Sequence, residues 1–484
     1  MSPPAKKQTL PEMTREMLQE APREKLIDIV LLLQEQNKQI AVLEAKVAEL
    51  ERRLGLNSSN SSKPPSSDQP KTRQKRKRKK KRRKRGGQKG HEGHHRTLVP
   101  VEQVSRLVRL APRRCEQCGG VHLVVDWSRP WRHQVWEAPR VQPDITEYQM
   151  HSAICLDCLH SNQASLPKGV TRECFGPSLQ ALVATFSGVY HLSKRLIRQL
   201  LKDLIGVDIS LGAISACEQA VSQAIEKPYE EAHEHVQDAE VLYADETGWS
   251  EANKRAWIWV AVTSMVTVFK LNTGRGRKAA RKLLGWFKGL LVSDRWAPYR
   301  VHKGARQLCW AHLLRTFTGF SELRGRAGQI GTALVNKAGE VFAWYHRVRD
   351  GTLLEATFKR RMVERKVEIC NLLIDGEMLG VRPMSGICKR IIAVEEHLWT
   401  FVDHDVEPTN NNAERALRKG VLWRKISYGT QSEAGSRFVE RIMTAAATCH
   451  QQGRNVFDYL TEACEARRHG RDAPSLLPSS GQTG

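Results

Sequence analysis

The chain has 484 residues, room for about three domains at ~150 residues each. Its 77 Lys+Arg against 52 Asp+Glu leave a net charge of +25, and 40% of its residues are hydrophobic. That balance excludes a wholly disordered chain and a polytopic membrane protein, and it favours a polyanionic partner, nucleic acid before an anionic membrane surface. No run of about 18 apolar residues marks a transmembrane helix, and the first residues carry no apolar signal-peptide core, so a cytoplasmic location with no membrane partner is expected.

In chain order, the first element is a coiled coil within 1–56. Leu26, Leu33, Ile40, Val47 and Leu54 recur every seven residues, with Ile29, Gln36, Leu43 and Leu50 three positions after the first four. This is an a/d seam interrupted once by Gln36, and it predicts homo-oligomerisation; packing on its own chain is the alternative. Residues 57–96 follow as a linker, expected to be disordered. NSSNSSKPPSSD lacks apolar residues other than proline, and 71–85 hold 13 basic residues in 15. Lys79, Lys80, Lys81, Arg82 and Arg83 in this tract suit a sequence-blind, salt-dependent grip on phosphates.

Residues 97–165 hold two Cys-x-x-Cys pairs, Cys115/Cys118 and Cys155/Cys158, 36 residues apart. Strand-like stretches lie between them. Two such turns brought together by hairpins would make a closed, structural zinc site of four cysteines; four unliganded cysteines in tight turns is the other reading. Residues 166–237 show helical periodicity. Ser193 and Ser210 are expected N-caps of a helix-turn-helix-like pair, with Lys194 and Arg195 as DNA contacts.

From 238 the pattern turns to strands. Two apolar runs are expected to end on carboxylates, Asp245 in ADETGW and Asp294 in SDRWAPY, at the kind of strand edge where α/β sites sit. Asn410-Asn411-Asn412 reads as a helix start that places Glu414 in the first turn. Three such carboxylates can hold two Mg²⁺ ions for phosphodiester chemistry, although among 52 acidic residues spacing alone does not single out three. Residues 318–405 read as helices throughout, 406–470 as the last helices of the core, and 471–484 as a disordered tail.

Several segments taken together, NSSNSSKPPSSD, GGQKGH, the Cys-x-x-Cys pairs, DETGW, SDRWAPY with CWAHLLRTF, and TNNNAERALR followed by WRKISYGT, resemble the DDE-type bacterial transposases of the insertion-sequence family numbered sixty-six. The resemblance implies a ribonuclease-H-like α/β catalytic core, first part 238–317 and last part 406–470, split by an all-α insertion. It implies that Asp245, Asp294 and Glu414 are the metal-binding triad, using Mg²⁺ or Mn²⁺, and that Arg424 and Lys425 meet phosphate. The fold class expected is thus multidomain α and β: coiled coil, small zinc-binding β module, helical DNA-binding region and split core. The function expected is cleavage and joining of double-stranded DNA at element ends, in association with the nucleoid, with accessory proteins of the same element as candidate partners. A DNA-binding regulator, or a catalytically inactive copy, is the alternative.

Overall fold

The computed structural model describes residues 21–54, 97–128, 130–139 and 141–478. The Ser-rich linker and the basic tract, with Lys79, Lys80, Lys81, Arg82 and Arg83, lie outside the described residues. The chain is a mixed α/β protein with a helical majority, and it divides into two compact units, Met1–Arg73 with Arg306–Thr409, and Gln74–Ala305 with Asn410–Gly484.

Helix α1 spans Arg23–Leu54. Its seam residues Leu33, Ile40, Leu43 and Val47 are exposed. A helix gains most of its stability from burying its apolar stripe, and these side chains have no cover among the described residues.

In the second unit, β1 (Ser152–Ile154) and β2 (Ser161–Gln163) form a short antiparallel ladder. Of the strand-like stretches between the cysteine pairs, only β1 is a strand among the described residues. Among the described residues the rest of this chain has no ladder partners, and its large apolar side chains stay in solvent, Trp131 at 88% and Ile145 at 87% exposure. Helices α2 (Pro177–Ala184), α3 (Lys194–Ile205), α4 (Leu211–Ala224) and α5 (Glu226–His235) follow, with a π-helical segment, Thr185–Val189, after α2. Ser193 and Ser210 cap α3 and α4 as the sequence predicts, accepting from the backbone N–H of Leu196 and Ala213, and α3 stops at Gly206 in the left-handed conformation that glycine favours.

The sheet comes next: β3 (Val241–Glu251), β4 (Lys254–Val262), β5 (Thr267–Asn272), the basic helix α6 (Arg277–Leu284), and β6 (Leu290–Ser293). These strands lie in the order β5-β4-β3-β6, antiparallel except for the parallel β3–β6 pair. β3 and β4 are joined by the two-residue turn Ala252-Asn253, both with positive φ, which matches the twist of the flanking strands.

The first unit takes up the chain at β7 (Arg306–Leu308), then α7 (Trp310–Ser321), α8 (Gly325–Arg349), α9 (Glu355–Met378) and α10 (Met384–Ile392). α7 and α8 cross where Gly331 meets Phe320 and Ser321 so closely that any side chain would collide with their backbone. Trp310 meets Trp399 edge-on at 5.0 Å, and its indole N–H donates to the Leu398 carbonyl at 2.6 Å.

The second unit closes with α11 (Asn411–Ser427), α12 (Glu433–Gln451) and α13 (Val456–Arg468). α12 covers the open edge of β5. The backbone N–H groups of Thr267, Phe269 and Leu271 donate to the side chains of Thr448, Thr444 and Glu440. Every second strand residue meets every fourth helix residue because two strand residues and one helical turn span similar lengths. The edge is thereby blunted against pairing with another chain. Residues 471–478 correct the expectation of a disordered tail. Leu476 is fully buried in the core, and Lys227–Asp472 is an ion pair at 2.7 Å. The apolar pair Leu476-Leu477 outweighs the surrounding Ser and Pro.

Candidate active site

The parallel β3–β6 pairing sets Val241, Leu242 and Tyr243 opposite Leu290, Leu291 and Val292. Two residues further along each chain in that register stand Asp245 and Asp294. An even step keeps both side chains on one face of the sheet. Asp294 directly follows β6, as the sequence predicts. Asp245 does not end its strand: β3 runs on for six residues as the arm that pairs with β4. The parallel ladder stops at Tyr243, so the two carboxylates stand where one strand parts from its neighbour, a place where α/β sheets open a crevice.

The third carboxylate arrives on α11. Asn410, fully buried, does not cap its own helix with its side chain, as a run of asparagines would suggest. Its amide donates to the carbonyl of Ala244 at 2.8 Å, one residue before Asp245. The helix start is thus fixed to β3, and Glu414 lies in the first turn, its N–H donating to the Asn410 carbonyl at 3.1 Å. Burial, followed by the fields of Glu246, Asp294 and Glu414, pushes the Asp245 carboxyl well above the usual carboxylate range. Like charges near one another disfavour ionisation, which is why Glu246, Asp294 and Glu414 each raise Asp245.

Glu246 is not among the residues that the sequence singles out. It follows Asp245 and so turns to the other side of the strand, where its side chain is 1% exposed. A buried carboxylate needs partners, and it has two. Arg275 donates through Nε and Nη2 at 2.9 and 2.8 Å, and the Tyr299 hydroxyl donates at 2.7 Å. Burial raises Glu246, and the Tyr299 and Arg275 contacts oppose the rise. The Arg275 guanidinium lies 4.4 Å from the ring centre of Trp296, whose backbone N–H donates to Asp294 Oδ1 at 2.8 Å. One tie therefore runs from β3 through the segment after β5 to the loop that carries Asp294. The available sequence signal is strand alternation, which sends the residue after Asp245 into the core.

The other predicted residues are placed as follows. Arg424 donates to the carbonyl of Gly248, so it holds α11 along β3 and is half-buried, while its neighbour Lys425 is exposed. Lys194 is bound inward, to Glu218 at 2.9 Å and Ser215 Oγ at 2.6 Å; Arg195 is exposed. On α4, Ile214, Cys217, Ala220, Val221 and Ala224 are buried, while Ala216 and Gln223 are exposed.

The two cysteine pairs are built alike. The N–H of Cys115 donates to Gly120 and that of Gly119 back to Cys115, at 2.8 and 2.9 Å. Cys155 with His160, and Leu159 with Cys155, repeat the pattern at 2.9 and 2.8 Å. The residue after each second cysteine, Gly119 or Leu159, has positive φ. Backbone N–H groups aimed at Cys115 and Cys155, above all those of Cys118 and Cys158, lower both thiols and favour the thiolate that a soft metal takes. Each pair is a preformed two-thiol turn. Among the described residues, no three of these four cysteines lie within one ligand set.

Residues 172–437, more than half of the chain, match the family described as "Transposase IS66 family". The chain belongs to the transposase IS66 family. The IS66 span contains β3, β6 and α11 with their three carboxylates, and begins after the cysteine pairs. Residues 4–97 match a family of unknown function (DUF6444); α1 and the basic tract fall there. The chain is 24% identical over 276 residues to "Uncharacterized protein y4qI" of Sinorhizobium fredii, a stretch covering 50% of each protein. It thus spans about half the length of this curated relative. Among the described residues no helix is long and apolar enough to cross a membrane.

Proposed function

We propose that this chain is a DNA transposase that cleaves and joins phosphodiester bonds at the ends of an insertion sequence, with Asp245, Asp294 and Glu414 as ligands of Mg²⁺ or Mn²⁺. One observation supports the reading: in an IS66-family chain, Asp294 after β6 and Glu414 on α11 both raise Asp245 on β3. Two divalent ions, when bound, supply Lewis-acid activation of the attacking oxygen and stabilisation of the leaving oxygen. The chain's own part is placement. Asn410 ties the Glu414 helix to β3, and the Glu246–Arg275–Trp296 tie fixes the loop of Asp294.

In the cleavage step a water oxygen bonds to phosphorus and the bond to the 3′ oxygen breaks, freeing a 3′-hydroxyl. In joining, that hydroxyl attacks a target phosphate and displaces the target's own 3′ oxygen. No covalent protein intermediate is needed. The region from 238 onward is read as a split ribonuclease-H-like core, 238–317 and 406–470, with the helices of 318–405 as its insertion. The paired cysteine turns are read as a zinc site that closes when the ion draws them together, covering the apolar surface of 97–165. The α1 stripe is read as the seam of a homo-oligomer, and the basic tract as a backbone clamp that keeps the protein on nucleoid DNA.

The test is incubation of the purified chain with its element's end DNA and Mg²⁺ or Mn²⁺, beside Asp245→Asn. Metal-dependent nicks at the ends that vanish in the variant are expected. Salt-dependent binding with no product from either protein would favour a DNA-binding regulator or an inactive copy.

A further inference from the structure

The basic helix α6 has no part in the function proposed above, yet it packs beside the loop that follows Asp294. Its buried side is Ala279, Ala280, Leu283 and Leu284, and Arg277, Lys278 and Arg281 stand exposed on the other. Lys282 faces Lys270 instead, whose ammonium it disfavours. No Asp or Glu occurs from residue 272 to 293. Among the described residues, Arg277, Lys278 and Arg281 enter no ion pair and no side-chain hydrogen bond. Some other cations of this unit are paired, Arg198 with Asp208, Lys227 with Asp472, Arg441 with Glu226 and Arg467 with Glu173.

Location adds to composition. α6 starts two residues after Arg275, which grips Glu246 and covers Trp296, and the Trp296 indole N–H donates back to the Arg275 carbonyl at 3.4 Å. α6 also packs on the 3₁₀ turn Ala297–Val301 that follows Trp296. Lys278 is three positions after Arg275, so the cationic face begins within about 10 Å of that arginine, roughly one Debye length at physiological salt. A cluster of carboxylates repels a phosphodiester, and a strand brought to it needs fixed positive charge close by.

We propose that the exposed face of α6, through Arg277, Lys278 and Arg281, seats the sugar–phosphate backbone of the DNA strand presented to Asp245, Asp294 and Glu414. This rests on the transposase reading and names a contact surface for its substrate. The face carries no apolar residue. The nearby exposed Trp286 commits its indole N–H to Asp238 at 2.9 Å, so the chemistry fits a polyanion rather than an apolar protein surface.

The test uses the full chain carrying Asp245→Asn, in EDTA, with binding to labelled end DNA read by anisotropy over a series of KCl concentrations. Adding K278Q and R281Q removes two phosphate contacts, and the slope of log K against log[KCl] should become shallower by about 1.8. The pair K389Q and R390Q removes equal charge from exposed positions on α10 and should leave the slope unchanged. All four side chains are exposed, so folding should survive and is checked by the thermal melt. An unchanged slope in K278Q/R281Q, or equal changes in both pairs, would overturn the surface while leaving the transposase reading standing. A parent chain that shows no salt-dependent retention of DNA would overturn both.

Discussion

Asn410→Ala tests whether the site is built by attaching α11 to β3. The substitution deletes an amide that donates to the Ala244 carbonyl at 2.8 Å from a fully buried position. Losing a buried hydrogen bond and leaving its partner unsatisfied costs about 1–3 kcal/mol, read as a fall in the urea-unfolding free energy. The larger effect should be on chemistry. Glu414 stands one helical turn beyond Asn410, and a shift of about 1 Å in a positioned group can cost on the order of 100-fold in rate. The expected result is metal-dependent cleavage down by about two orders of magnitude, with DNA retention unchanged. Leu417→Ala is the comparison. It empties a buried position on the same helix and should cost about 2–5 kcal/mol, but it leaves the attachment in place. Assayed well below both melting temperatures, Asn410→Ala should cut far more slowly than Leu417→Ala. Equal rates, or wild-type cleavage by Asn410→Ala, would refute the attachment argument.

Burial pushes Glu440 up to about 7, so the folded state holds its proton more tightly than the unfolded chain. Its contribution is therefore complete below about pH 4.5 and is lost as the pH rises through 7, up to about 3 kcal/mol in all. Glu440→Gln, which keeps an acceptor for the Leu271 N–H, should flatten that decline in melts recorded from pH 4.5 to 7.5. Metal analysis of the purified chain should give one zinc per chain, and Cys115→Ser or Cys155→Ser should abolish it and raise the binding of a hydrophobic dye to 97–165. Leu33→Lys with Leu43→Lys should shift the sedimentation coefficient to that of a smaller species, while the melting temperature of the remaining chain stays the same.

Much of the fold near the site is legible in local pattern. Ser193 and Ser210 announce their helices because a short side chain before an apolar-periodic run meets a free N–H, and the apolar run LLVS leads directly to Asp294. The continuation of β3 past Asp245 is not legible. ETGWSE has no apolar alternation of its own, and the turn that reverses it is Ala252-Asn253 rather than a glycine pair. Asn410 reads locally as a helix cap, whereas a carbonyl 166 residues away claims its amide. Glu246 with Arg275, and Arg424 with Gly248, are likewise pairings between distant segments that no window of sequence contains. In the cysteine region the two turns can be read from spacing, but the chain between them lacks the hydrogen-bond partners that would make its strand-like residues into strands.

Whether Asp245, Asp294 and Glu414 form one metal-binding set is decided by titrating Mn²⁺ into the metal-stripped full chain and into Asp245→Asn, Asp294→Asn and Glu414→Gln, with free Mn²⁺ followed by its electron paramagnetic resonance signal. Tight uptake by the wild-type chain is expected, and each substitution should weaken it by at least about tenfold, or ~1.4 kcal/mol. Wild-type uptake by any one of the three variants would remove that residue from the set and contradict the three-carboxylate site.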